Sequence, residues 1–368
     1  MPALCVLVAL AIVAGADLMA APKPPPAQVD TGTIYYREYS LDVWSMKPEG
    51  SGKTKLSVKG VPSQALHDGK RWFLTMEAVS GTYPDGYDRH ELFATREDGQ
   101  ISVQITDSTW VDADGNSMLV EFDNQDGYFL DRFWTFGWAA DSGAADGKVY
   151  FPGWTWDVTT SGSETVTGFG YYVAYLSADD WTDICADSSD WTPATPALLD
   201  DVPVAIYPEP AEGDSPGCLN TPCDWSPDGE QIVYAPCPGT VRDLWVATPG
   251  LADAAKVYSN GTLPSWSSAD RIAFTTSGAG YWKIVSIKPD GSAATTLATL
   301  TNKNWTQNKR IVQPRWSPNA TYLAYIWADF SGTFPYPMDI YRITSSGSGA
   351  TNLTSDQTTD ILDLIWRP

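Results

Sequence analysis

One phrase of eight to ten residues recurs along this 368-residue chain, and it constrains the fold more than any other feature. It reads Asp42-Val-Trp-Ser-Met-Lys-Pro-Glu-Gly50, Glu91-Leu-Phe-Ala-Thr-Arg-Glu-Asp-Gly99, Asp243-Leu-Trp-Val-Ala-Thr-Pro-Gly250, Trp282-Lys-Ile-Val-Ser-Ile-Lys-Pro-Asp-Gly291 and Asp339-Ile-Tyr-Arg-Ile-Thr-Ser-Ser-Gly347, with a loose copy at Tyr172–Asp179. Each copy alternates β-branched and aromatic residues and ends in a Pro/Asp/Gly turn, the pattern of a half-buried strand. Repetition at this spacing means one supersecondary unit copied many times.

A second phrase runs out of phase with the first. Trp225-Ser-Pro-Asp-Gly229 is its clearest copy, with weaker ones at Trp266–Asp270, Trp316–Ala320, Trp110–Gly115 and His67–Gly69. Proline presets φ, Asp or Asn bonds back to the backbone, and a small residue leaves the turn, so each copy predicts a tight hairpin. The combined unit is four antiparallel strands, and such units set around a ring make a β-propeller. The expected fold is all-β: a six-bladed propeller, with seven as the alternative count. The chain enters at the second strand of the first blade, Thr33–Arg37, and Ile361–Trp366 is expected to complete that blade and close the ring.

The turns at Trp225, Trp266 and Trp316, with the paired strands at Asp243, Trp282 and Asp339, resemble the propeller repeat of the TolB family. The resemblance is specific over roughly 220–368, weaker over 33–120 and absent over 120–220. It implies a protein or peptide partner gripped at the channel mouth. It transfers no contact residue, because the repeats match at scaffold positions only.

Residues 1–21 read as a signal peptide, since Ala3–Ala16 is nearly all apolar yet too short to span a bilayer. Residues 22–30 read as a stiff Pro-rich spacer, and 31–368 as the propeller. The expected location is secreted or periplasmic. Cys185, Cys218, Cys223 and Cys237 fit two disulfides of an oxidising compartment, with a zinc site as the alternative; of the three pairings, one joins Cys223–Cys237 across a hairpin and Cys185–Cys218 across a long connection. The net charge of −22 disfavours nucleic acid and anionic lipid as partners, and no membrane insertion is expected of what reads as a monomer.

Residues 123–220 depart from the repeat. An aromatic-rich insertion enlarges blade 3 before its expected third strand near Tyr171, and a long connection with Trp181 and Trp191 leads to blade 4. Long ordered loops in a compact domain are commonly functional. Trp134, Trp138, Trp154 and Trp156 are therefore the candidate anchors for a protein, peptide or glycan; the competing reading has the insertion packing a small core of its own.

Enzymatic readings are weak. Two histidines, His67 and His90, are too few for an imidazole-clustered metal centre and read as scaffold. No Gly-x-Ser-x-Gly occurs and no hydrolase domain follows the repeats, which disfavours a peptidase. A glycosidase-like carboxylate pair is the alternative, because the 45 acidic residues offer many pairs. No cofactor is implied apart from a weak calcium candidate at Asp112, Asp114 and Asn116, which also aligns with the repeat turns.

Overall fold

The computed structural model describes residues 31–368 except 39–41, 85, 87, 123–136, 139–147, 161, 187–190, 195–196, 199–222, 236–242, 249–252, 303–307, 334 and 356–360. These residues form six antiparallel sheets and one helix. The first sheet holds β1 (Thr33–Glu38), β2 (Val43–Met46) and β3 (Thr54–Lys55). The second runs β4 (Val61–His67), β5 (Lys70–Thr82), β6 (Asp88–Arg96) and β7 (Ser102–Gln104). The third has six strands: β8 (Thr109–Val111), β9 (Ser117–Phe122), β10 (Gly137–Trp138), β11 (Lys148–Asp157), β12 (Thr165–Tyr175) and β13 (Ala197–Leu198), with α1 (Ala178–Ala186) between the last two. The fourth contains β14 (Cys223–Trp225), β15 (Ile232–Tyr234), β16 (Leu244–Ala247) and β17 (Ala255–Tyr258). The fifth contains β18 (Thr262–Trp266), β19 (Ile272–Gly278), β20 (Tyr281–Ile287) and β21 (Thr295–Thr301). The sixth contains β22 (Lys309–Trp316), β23 (Tyr322–Asp329), β24 (Met338–Thr344) and β25 (Thr351–Asn352), and the final strand, β26 (Ile361–Arg367), returns to the first sheet.

That return is the closure expected from the sequence. β26 pairs antiparallel with β1 from Thr33↔Arg367 to Glu38↔Ile361 and supplies the fourth strand the first sheet lacks. Gly32 makes the approach feasible: its φ is +101°, and a Cβ there would run into the Arg367 carbonyl. The fold is a β-propeller, with adjacent sheets packed face to face.

Apolar clusters mark those junctions. Val233, Leu244 and Val246 pack on Trp266, Ile272 and Phe274 between the fourth and fifth sheets. Ile284 and Leu297 meet Trp316, Leu323 and Tyr325 between the fifth and sixth. The sixth packs on the first through Ile326, Met338 and Ile340 against Ile34, Tyr36, Leu364 and Trp366, all buried. Burial of each such side chain contributes about 1.5–3 kcal/mol, so the junctions dominate the favourable side of folding.

Both repeated phrases have physical explanations. In the Trp-Ser-Pro turns the Ser backbone N–H donates across the hairpin while its hydroxyl accepts from the returning strand. Ser226 N donates to Gln231 O (2.9 Å) and Ser226 Oγ accepts from Gln231 N (2.8 Å). Ser317 repeats this with Tyr322 at 2.9 and 3.0 Å, and Ser267 with Arg271 at 2.8 and 3.0 Å. The acid that opens the other phrase works with a threonine after the fourth strand. Thr106 Oγ1 accepts from Leu92 N and donates to Glu91 Oε2; Thr354 Oγ1 does the same for Ile340 N and Asp339 Oδ1. These bonds satisfy backbone donors where each sheet hands over to the next.

The third sheet corrects the sequence reading. The strand around Tyr172 is β12, which follows β11 in the pairing order instead of standing third. β11 carries Tyr150, Phe151, Trp154 and Trp156, so much of the supposed insertion is regular sheet paired over Gly153–Asp157 with β9 and over its whole length with β12. Trp181, expected in a connection, lies on α1. The helix starts with a capping box, in which Asp180 N donates to Ser177 Oγ (3.2 Å) and Ser177 N donates to Asp180 Oδ2 (2.6 Å). Trp181 and Ile184 bury the helix against Trp72, Trp138 and Leu176.

Candidate binding site

Five of the sheets line up by an edge strand, with β14, β18, β22, β26 and β4 in contact in that order. The residues before Trp225 and Trp266 reach the next sheet. Asp224 Oδ2 accepts from Trp266 N at 2.7 Å, and Ser265 Oγ, at the matching place on β18, accepts from Trp316 N at 3.4 Å. Asp224 Oδ1 also accepts from Trp225 N at 3.0 Å. Burial pushes the Asp224 carboxyl above the usual range, against the opposing field of Arg315 and, more weakly, Arg367.

A second buried acid lies on the closing strand. Asp363 is 2% exposed and takes a 2.6 Å ion pair from Arg37 Nη2. Burial pushes its carboxyl up too, opposed first by Arg37, then by Arg315 and by the Gln313 amide that donates to it. Gln313 is itself buried at a bulge in β22 with φ +52°. Arg315 Nη1 donates to the Pro264 and Pro314 carbonyls. Asp224 and Arg315 thus tie adjacent sheets together, while the Arg37–Asp363 pair ties the closing strand to β1 within the first sheet.

A different arrangement occupies the end of the fifth and sixth sheets where β22 begins, opposite its Trp316-Ser-Pro turn. Arg310 Cζ lies over the Trp282 ring at 5.4 Å and over the Phe330 ring at 4.7 Å. Phe330 meets Tyr336 edge to face at 5.0 Å. Next to it, Lys309 lies over Trp327 at 5.5 Å and pairs with Asp329 at 3.3 Å. Burial lowers the pKa of Arg310 without an opposing carboxylate. The sequence reading missed this cluster. Its only linear signal is a basic pair opening β22, with aromatic residues that become neighbours through the fold.

The residues singled out in the sequence are scattered. Trp138 is 6% exposed: its Nε1 donates to Val61 O at 3.1 Å and its ring lies 5.4 Å from Trp181. It fills the junction between the second and third sheets, which removes it from the anchor set. Trp156 is half-buried on β11, opposite Leu119 and Val166. Trp154 lies on the same strand opposite Phe169 and Glu121, while Trp134 falls outside the described residues.

Cys185 is a half-buried free thiol on α1, its pKa pushed up by burial. Cys223 lies on β14 opposite Tyr234. Cys218 and Cys237 fall outside the described residues, and with them the Cys223–Cys237 pairing; the free thiol of Cys185 overturns the expected Cys185–Cys218 disulfide. At the calcium candidate, Asp112 Oδ1 accepts from Asp114 N (3.0 Å) and Asn116 N (2.8 Å), and Oδ2 accepts from Asn116 Nδ2 (3.0 Å). That is a hairpin turn built around one carboxylate, and no metal-ligating group of three occurs among the described residues. His67 stacks on Trp181 at 3.7 Å, and the His90 backbone bonds to the Tyr83 hydroxyl. No described helix is long and apolar enough to cross a membrane.

No family model matches the sequence, and no curated protein does. Among solved structures, TolB from Acinetobacter baumannii is 13% identical over 92% of this chain and 67% of its own, with a TM-score of 0.49. A chain of the nidogen/laminin complex is 7% identical, over 92% of this chain and 99% of its own, at 0.48. Hydrazine synthase of Kuenenia stuttgartiensis is 11% identical, over 91% of this chain and 46% of its own, at 0.47. Identities this low speak to fold and not to activity. The likeness this chain bears is to TolB-like β-propellers, at the level of the fold.

Proposed function

We propose that this chain is an exported, non-enzymatic propeller that binds a protein or peptide partner. One observation carries the reading: the carboxylates at the centre of the ring are engaged in holding it. Asp224 caps a neighbouring sheet's N–H and Asp363 is clamped by Arg37. A general acid or base needs a proton-exchange partner at the reacting atom, whereas these groups are tied to backbone donors and guanidinium groups. The aromatic strand of the third sheet, with Trp154 and Trp156, is the proposed contact surface together with Trp134, which lies outside the described residues. Export rests on the apolar leader and the cysteine usage.

The carbohydrate-active alternative has one observation in its favour, since Asp224 and Asp363 are both pushed up by burial, as a general acid would be. Peptide display against the full chain, followed by assay on glycoside substrates, separates the two. The binding reading expects saturable peptide binding and no turnover. Turnover of a glycoside that disappears in Asp224→Asn or Asp363→Asn overturns it.

A further inference from the structure

Among the described arginines, Arg310 alone has a guanidinium that meets neither a carboxylate nor a carbonyl. Arg37, Arg89 and Arg96 pair with Asp363, Glu91 and Asp68 or Asp98. Arg71, Arg271, Arg315, Arg342 and Arg367 donate to backbone carbonyls. Arg310 makes a single long bond, Nε to Asn308 Oδ1 at 3.4 Å, and its two Nη groups bond to no described residue. This occurs in a chain with 45 acidic residues against 23 lysines and arginines, where acids outnumber basic partners about two to one. A partly desolvated cation without an anion is costly, and aromatic rings offset only part of that cost.

The surroundings hold the guanidinium against two aromatic rings. Trp282 comes from β20 of the fifth sheet and Phe330 from the end of β23 in the sixth, so two sheets fix one side chain. Across the ladder Arg310 faces Ala328, a buried small residue that neither crowds nor pairs with it. A planar fork held by aromatic rings, with Nη donors that bond to no described residue, suits a carboxylate held by two parallel bonds.

We propose that Arg310, flanked by Trp282 and Phe330, is the docking point for a single carboxylate of a peptide segment, an inference that rests on the peptide-binding reading above. The net charge of −22 decides the kind of ligand. A polyanion such as nucleic acid, or an anionic bilayer, brings many charges against that field, whereas a flexible segment can offer one carboxylate at one point. Phe330 and Tyr336 then supply apolar surface for the residues beside it.

The test follows the Arg310 Nε–H resonance of the full chain, labelled with 15N on arginine. The probes are a terminally blocked tetrapeptide with one glutamate among glycines, its glutamine counterpart, and inorganic phosphate. The glutamate peptide is expected to shift the resonance saturably and the glutamine peptide to leave it in place. For a peptide selected by display, Arg310→Gln should weaken binding at least about tenfold, and Arg310→Lys should fail to restore it, because an ammonium does not offer the fork. Near-ultraviolet circular dichroism checks that both variants keep the native packing. Equal shifts by the glutamate and glutamine peptides, or a phosphate response stronger than the glutamate response, overturn the proposal. A selected peptide that binds native and Arg310→Gln chains alike overturns it and leaves the binding reading intact. A glutamate-induced shift with no saturable ligand from display supports the carboxylate site and sinks the broader reading.

Discussion

Replacing Asp363 by leucine should destabilise the protein far more than an ordinary ion-pair deletion. The Asp363 side chain is 2% exposed and that of Arg37 14%, with Nη2 and Oδ2 2.6 Å apart. Losing the acid leaves a guanidinium confined beneath the closing strand with its main counter-charge gone. Removing one partner of a buried pair costs about 3–5 kcal/mol, whereas an exposed pair contributes about 0–1 kcal/mol. The Lys70–Glu97 pair, 3.7 Å apart with side chains 46% and 40% exposed, is the internal control. Equilibrium guanidinium unfolding followed by tryptophan fluorescence should therefore place Asp363→Leu about 3–5 kcal/mol below the native chain and Glu97→Gln within about 1 kcal/mol of it. The double variant Arg37→Met/Asp363→Leu, which removes both charges, should recover most of the loss. If Asp363→Leu and Glu97→Gln cost the same, β26 is not clamped by this pair and the reasoning fails.

Further outcomes follow from the same geometry. Gly32→Ala forces a side chain into φ +101° against the Arg367 carbonyl; it should cost at least about 2 kcal/mol and first expose the amides of β1 and β26 to hydrogen exchange. Tyr325 is buried, and its phenol is pushed up to about 12. An unfolded tyrosine ionises near its ordinary value, about 10, so the unfolded chain loses that proton first as pH rises. Tyr325's contribution is complete below the ordinary value and is lost as pH climbs through about 12. Alkaline unfolding curves should show this loss, and Tyr325→Phe should reduce it; an unchanged curve in that variant refutes the assignment.

The repeats were legible because they are local. Trp-Ser-Pro-Asp-Gly encodes a turn whose hydroxyl, carboxylate and glycine act within five residues, so Ser226 could be read without the fold. The closing role of Ile361–Trp366 followed from the missing strand at Thr33. The third sheet was not legible in the same way. Its long strands, β11 and β12, lack the turn signature, and aromatic residues on a paired strand look like those of a loop. Trp138 illustrates the ambiguity: an indole that suits an exposed platform equally suits a junction where its N–H reaches the Val61 carbonyl. The capping box at Ser177 and Asp180 was readable, yet one short helix in an all-β chain was overlooked. The bracket around Arg310 joins β20, β22 and the end of β23, and its distinction is the absence of an anion among the described residues, which no linear pattern encodes.

The central claim is that the carboxylates at the middle of the ring hold it together and do no chemistry. Thermal unfolding of Asp224→Ala tests it most directly. The side chain accepts from the Trp266 and Trp225 N–H groups and offsets Arg315, so its loss should lower stability by about 2–4 kcal/mol and drop the midpoint by several degrees. A residue kept for catalysis at the expense of stability behaves the other way. A variant that unfolds at or above the native temperature would contradict the account and make Asp224 a functional group.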